Sequence, residues 1–447
     1  MKAVGEGIRA NRLTAHREVP HNVFMTAHTG VPVRQVEADA NLADPLFWNR
    51  PTQEREAVFR YLRSLDSPVF FEEPEKSVLR GRRGFHALVR HADVVAASRN
   101  PSTFLSGPGV TTPEPARWVR AVFGDSMVNL DDPRHSQLRR IVSRAFTPRL
   151  IARAEDDIRR TARRIVANVA EQRPEDFVAA VAAQMPYQVI CTMMGIPECH
   201  RSRILELVGR ASVHTGVRRS LQHRLRVPGQ GLRALGRMQL LVAEIGRERR
   251  RRPADDLISA LVTADVEGRG LNSRELGAFF SLLLVAGVET TRNAMAHGLK
   301  LLTDHPGQRA LLLSDMDGRI DGAVEEMLRH ASPIIQFRRT LAHDHELSGK
   351  TLRKGDKVML FFNSANRDEA VFPDPDSFDI TRDPNPHLGF GGGGPHFCLG
   401  AHLARQEMRT IFKELLIGLP GVRSVGEPVL IPSSFDNRVG SLRFTFD

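Results

Sequence analysis

The chain has 447 residues, 41% hydrophobic and 26% charged, with a formal net charge of +11. That balance suits a soluble globular protein with a sizeable core. No run of about eighteen apolar residues occurs, which excludes a transmembrane helix, and the Arg9, Arg12 and Arg17 region lacks the apolar core of a signal peptide.

Residues 1–40 lack clear periodicity and read as an N-terminal arm, with a single domain expected over 41–447. Regular structure begins at Phe47-Trp48 and the Glu54–Leu65 stretch. Ser67–Phe71 and Gly84–Arg90 read as short strands, with a helix over His91–Ser98. From about residue 150 helical patterns dominate, with apolar residues at spacings of three and four. The clearest are Ile151–Ala170, Met238–Arg252, Asp255–Ala264, Ser273–Thr303 and Gly318–His330. Asn272 or Ser273 suits the N-cap of the long Ser273 helix. Its apolar run Phe279–Gly287 is too short to span a membrane and is closed by Glu289, so a buried core helix is expected. Phe337–Val358 carries turns between strand-like runs and reads as a small sheet. Proline-rich loops follow, then a glycine run, then a helix over Leu399–Leu416. These elements predict one large, mainly α unit with a small β portion.

The three cysteines, Cys191, Cys199 and Cys398, match neither a zinc pattern nor a disulfide framework. A reducing cytoplasmic setting is the simplest for them. Cys191 lies in the apolar stretch QVICTMMGI and reads as a core thiol. Cys199 beside His200 could form a reactive pair only if the fold brings the two side chains together.

Cys398 lies in the run Phe390-Gly391-Gly392-Gly393-Gly394-Pro395-His396-Phe397-Cys398-Leu399-Gly400. Four glycines let backbone approach a bulky planar group closely. A cysteine at a helix N-terminus is favoured as thiolate. A plain glycine-rich turn fits the residues as well, whereas a phosphate-binding loop would need a Lys-Ser or Lys-Thr that is missing.

The segment resembles the cysteine loop of the cytochrome P450 family, in which Phe, Gly and Cys-x-Gly surround a haem. Phe390 lies eight residues before Cys398, one more than the usual family spacing. The extra glycine is similar to bacterial members that oxidise sterol side chains and methyl-branched lipids. Three further motifs carry the resemblance. Glu326-Met327-Leu328-Arg329 places its Glu and Arg at i and i+3 on one helix face. The family's Glu-x-x-Arg implies a buried ion network with the loop near Arg382. Ala286-Gly287-Val288-Glu289-Thr290-Thr291 sets a Gly, an acid and an alcohol inside an apolar helix, against local propensity. A Thr hydroxyl bonding back to a carbonyl can open such a helix. The resemblance implies an oxygen groove there, with Thr290 steadying activated oxygen and Glu289 in a proton relay. Finally, His135 and Arg139 stand at i and i+4 after Asp132-Pro133. The resemblance implies that His135, Arg139, Arg339 and His396 contact haem propionates, with Arg339 preferred over its neighbour Arg338.

The resemblance implies the P450 fold and a monooxygenase whose haem b is ligated at iron by Cys398. Phe390, Gly391, Gly400, Ala286 and Gly287 would line the cofactor. Substrate contacts would come from the loop Phe104–Val122, the Val208–Leu232 region, Leu283, Ala286 and Val288, Ile334 and Ile335 beside Pro333, and Phe435. These side chains are mostly apolar, so a lipid, sterol side chain or terpenoid is expected. A biosynthetic oxidase acting on a macrolide or peptide-like metabolite is a second reading. A haem-based ligand carrier or sensor is a third, against which the Glu289–Thr290 pair argues. The basic run Arg247–Arg252 reads as a solvated helix end, and basic residues elsewhere are mixed with acids. The charge surplus therefore fits docking of an acidic ferredoxin-type donor, served by its reductase, better than nucleic acid. A monomer is expected.

Overall fold

The computed structural model describes residues 40–73, 84–111, 126–145, 147–212, 221–263 and 271–447. The expected N-terminal arm lies almost wholly outside them. The helices are α1 (Thr52–Arg63), α2 (His91–Arg99), α3 (Arg134–Ala145), α4 (Pro148–Gln172), α5 (Gln184–Met193), α6 (Glu198–Ser212) and α7 (Leu221–Arg251). They continue as α8 (Leu257–Thr263), α9 (Ser273–Asp304), α10 (Pro306–Ser314), α11 (Met316–Ala331), α12 (Phe362–Ala365) and α13 (Ala401–Gly418).

The central element is α9, 32 residues long. Asn272 is its N-cap: the side chain accepts from the Arg274 and Glu275 amides, and Glu275 returns a bond to the Asn272 amide. This capping box satisfies amides that the helix start would otherwise leave bare. One side of α9 joins α5 and α7 in a core that includes Ile190, Met238, Phe280, Leu284 and Val288. Another joins α4, α11 and α13 through Met295, Leu299, Met327 and Phe412. Gly287 sits where α9 meets α5, and a Cβ there would lie 2.7 Å from Ile190 Cδ1. Its small size thus serves helix–helix approach. No helix among the described residues is long and apolar enough to cross a membrane.

A five-stranded sheet lies in the order β1 (Val69–Glu72), β2 (Gly84–Leu88), β7 (Lys357–Phe361), β4 (Gln336–Leu341), β3 (Phe104–Leu105). Only the β2–β7 pairing is parallel. Strands β5 (His345–Leu347) and β6 (Lys350–Leu352) form a hairpin. Near the C-terminus, β8 (Arg423–Ser424) pairs with β11 (Phe444–Thr445), and β9 (Val429–Ile431) with β10 (Arg438–Ser441). Trp48, Phe59 and Phe361 stack where α1 covers the main sheet.

The basic end of α7 is less solvated than its composition suggests. Arg249 grips Asp256 at 2.6 Å, and Arg250 donates to the Leu271 carbonyl at 2.8 Å. Two of the arginines are spent on fastening the turns around α8.

Candidate active site

Helix α13 begins three residues after Cys398. The Cys398 amide donates to the Phe390 carbonyl at 3.0 Å, closing the loop on itself. Gly391, Gly393 and Gly394 adopt φ of 97°, 85° and 73°, which favour glycine. Protein packing accounts for part of the glycine run. A Cβ on Gly392 would lie 2.6 Å from Ser98 Oγ, and one on Gly394 would lie 2.3 Å from the Ser98 carbonyl. The longer loop therefore presses against the end of α2. A Cβ on Gly391 or Gly400 would meet no protein atom within 4 Å. Those two glycines face open space, as a bulky planar group requires.

Cys398 is exposed. Crowding by nearby protein pushes its thiol pKa up, and the Gly400 amide with Arg139 and Arg405 opposes that rise. The other thiols contrast with it. Cys191 is fully buried beside Tyr187, and burial raises it to about 11. Cys199 is exposed at the start of α6.

Four basic side chains gather beside the loop. The His135 and His396 rings lie 4.1 Å apart. Arg139 donates to the Phe397 carbonyl at 2.7 Å. Arg339 is buried at 5% exposure, and burial lowers it to about 10. Burial, together with Arg339, His135 and Arg139, lowers His396 to about 3. Burial, then Arg139, lowers His135 as well. Both imidazoles are thus held neutral near pH 7, so Arg139 and Arg339 carry the charge and the rings add hydrogen-bonding nitrogens to a cradle suited to carboxylates. Arg338 takes a different part. Its guanidinium donates to the Gly109 and Pro108 carbonyls, both at 3.0 Å, and orders the loop there. Adjacent strand residues face opposite ways, so only Arg339 joins the cluster.

On α9, Thr290 Oγ1 donates back to the Ala286 carbonyl at 2.5 Å. Ala286 is exposed and Leu283 half-buried, whereas Val288 is 3% exposed inside the α5–α7 core. The expectation that Val288 contacts substrate is corrected: helix phase turns it inward. Val285, 41% exposed, occupies the face beside Ala286 that the sequence reading assigned to Val288. Gly287 likewise faces Ile190, not a cofactor. Glu289 is buried, with Arg292 Nη2 at 3.1 Å and Arg438 Nε at 4.0 Å from its Oε2.

Glu326 and Arg329 are fully buried and paired through two bonds of 2.8 and 2.7 Å. Arg329 also donates to the Asn366, Pro375 and Ser377 carbonyls. Glu326 further accepts from the Asp379 amide, Asn385 and Arg382. The pair ties α11 to the long loop preceding the cysteine.

Of the remaining expected substrate residues, Ile335 is 1% exposed and belongs to the core, a second correction. Its amide donates to the Phe435 carbonyl. Ile334 and Phe435 are half-buried. The Phe435 ring lies 5.6 Å from Phe337, which in turn lies 5.9 Å from Phe362. Phe337 was missed because β4 reads as plain strand. Residues 112–122 of the Phe104–Val122 segment and 213–220 of the Val208–Leu232 segment lie outside the described residues, as do all side chains of 208–232.

A family model described as Cytochrome P450 matches residues 232–417. A methyl-branched lipid omega-hydroxylase of Mycobacterium bovis is 42% identical over 95% of this chain and 99% of its own. The chain belongs to the cytochrome P450 family. A steroid C26-monooxygenase of Mycolicibacterium smegmatis is 36% identical to this P450 over 80% of the chain and 83% of its own. Among solved structures, a Mycobacterium marinum cytochrome P450 in complex with pseudoionone matches with a TM-score of 0.82 and 41% identity, covering 90% and 97% of the two chains. The chain is thus a haem monooxygenase with the P450 fold. The residues present fit a haem: an accessible thiol, two glycines facing open space and a cationic cradle beside them.

Proposed function

We propose that this P450 hydroxylates an apolar lipid, with methyl-branched chains and sterol side chains as the first candidates. The near full-length similarity to the methyl-branched lipid omega-hydroxylase carries this reading. Apolar, partly exposed side chains support it: Leu283, Val285 and Ala286 on α9, then Ile334, Phe337 and Phe435. Such walls select substrates by shape and offer few polar anchors.

Cys398 would ligate haem b, His135, Arg139, Arg339 and His396 would hold its propionates, and Phe390, Gly391, Gly400 and Ala286 would lie along it. No Cys-x-x-Cys-His run exists to attach a haem covalently. When bound, the haem would supply dioxygen activation, which a thiolate ligand promotes. The Gly400 amide and Arg139 favour the thiolate form of the sulfur, against the rise that burial imposes. Thr290 Oγ1, with its hydrogen committed to the Ala286 carbonyl, presents its lone pairs as acceptors. Glu289, paired at Oε2 with Arg292, would be the acid of the proton relay. Arg292 and Arg438 hold that carboxylate in place. Glu326 and Arg329 act structurally, by fixing the loop that leads to Cys398.

Residues 41–447 would form the single P450 domain, monomeric and cytoplasmic. An acidic ferredoxin-type protein, with its reductase, would deliver electrons at the face carrying the exposed Arg140 and Arg144 of α3. The test is a spectral screen for the low-to-high-spin shift, followed by product analysis. Branched lipids or sterols should shift the spectrum at lower concentrations than macrolides or peptides, with hydroxylation near a chain terminus. A preference for macrolides or peptide-like metabolites would overturn the lipid reading.

A further inference from the structure

We propose that Arg405 is a tuning residue for the thiolate centre, acting through the Phe390 ring and held at its post by Glu325. The inference rests on the reading of Cys398 as the haem ligand. Arg405 lies on α13, seven positions after Cys398. Its guanidinium carbon sits 4.4 Å from the centroid of Phe390. Phe390 is fastened to the ligand residue, because its carbonyl accepts the Cys398 amide at 3.0 Å. The cation therefore stands over the ring of the residue that is fastened to Cys398.

The Arg405 fork does not wander. Glu325 receives it through two bonds, Nε to Oε1 at 2.5 Å and Nη2 to Oε2 at 2.7 Å. His387 braces the same carboxylate at 2.9 Å. Glu325 directly precedes Glu326, whose buried pair anchors α11 beneath it. A surface ion pair would be free to drift, but this one is bidentate and braced on three sides, as fixed electrostatics require.

The electrostatic consequence has a definite sign. Reduction of iron adds one negative charge to the thiolate centre. A fixed cation nearby stabilises the reduced state, and the partnering carboxylate partly cancels it. Removing the cation while leaving Glu325 should disfavour reduction. Neutralising Glu325 while leaving Arg405 should favour it.

The experiment measures the midpoint reduction potential of the haem-loaded wild type, Arg405→Gln, Arg405→Lys and Glu325→Gln, and records the ferrous–carbon monoxide spectrum of each. Arg405→Gln should shift the reduction equilibrium about tenfold toward oxidised iron, which is about 59 mV for one electron. Arg405→Lys keeps the charge and should move it less than about threefold. Glu325→Gln should move it the other way. General damage to the loop would push all three variants in one direction. Equal shifts in Arg405→Gln and Arg405→Lys, or the same sign in Arg405→Gln and Glu325→Gln, would overturn the proposal. Failure of the underlying reading looks different: the wild type itself would give a carbon monoxide band typical of histidine ligation.

Discussion

Glu325 and Glu326 are neighbours, yet their loss should differ severalfold in cost. Glu326→Gln preserves shape and removes one charge from a pair in which both side chains are 0% exposed. Arg329 keeps its three carbonyl acceptors but becomes a buried cation with no carboxylate. Breaking a buried pair from one side costs about 3–5 kcal/mol. The Asp379 amide, Asn385 and Arg382 lose a charged acceptor as well. That is a large part of the roughly 5–15 kcal/mol that holds a folded protein together. Glu325 is 27% exposed, and water can replace much of what it loses. Glu325→Gln should cost about 1 kcal/mol. Urea unfolding followed by circular dichroism compares the two at fixed haem loading. Equal midpoints for the two variants, with unchanged slopes, would refute the assignment of the cost to burial.

The other outcomes follow from single contacts. Lowering pH should erase the advantage of wild type over Glu325→Gln. Burial would raise the Glu325 carboxyl, but hydrogen bonds from Arg405 and His387 outweigh it and hold the folded pKa at about 2. A depressed carboxylate stabilises above its unfolded pKa, and that benefit fades as pH falls from about 4.5 toward 2, so denaturant midpoints should begin to converge below about pH 5 and meet near pH 2. Gly394→Ala should cost at least about 2 kcal/mol, because the new Cβ meets the Ser98 carbonyl at a positive φ. Gly400→Ala should leave apoprotein melting unchanged and weaken haem uptake, read by haem titration, since no protein atom lies near the added methyl. Val288→Ala should lose about 2 kcal/mol in thermal melts with substrate-induced spectra intact, while Val285→Ala does the reverse. Thr290→Ala should divert electrons from product to peroxide, measured as product formed per reducing equivalent consumed.

Features written within one turn of chain were legible in the sequence alone. Glu326 and Arg329 share a helix face at i and i+3 whatever surrounds them. An N-cap at Asn272 or Ser273 follows from local composition, and the structure selects Asn272, with Glu275 completing the box. Cys398, behind its glycines, resembles the cysteine loop of the P450 family at any packing. Tertiary structure decided what depends on orientation and distance. Helix phase buried Val288 and exposed Val285, since both fit an apolar stripe until the partner helices are placed. Strand alternation sent Arg338 to the Pro108–Gly109 loop and Arg339 to the histidines. Gly287, Gly392 and Gly394 proved to answer to Ile190 and Ser98, residues remote along the chain. The parallel β2–β7 pairing joins segments some 270 residues apart in numbering, which no local pattern encodes. Arg405 and Glu325, 80 residues apart, meet only because α11 and α13 pack together. Charge and spacing travel with the chain, whereas the direction of a side chain is settled by what packs against it.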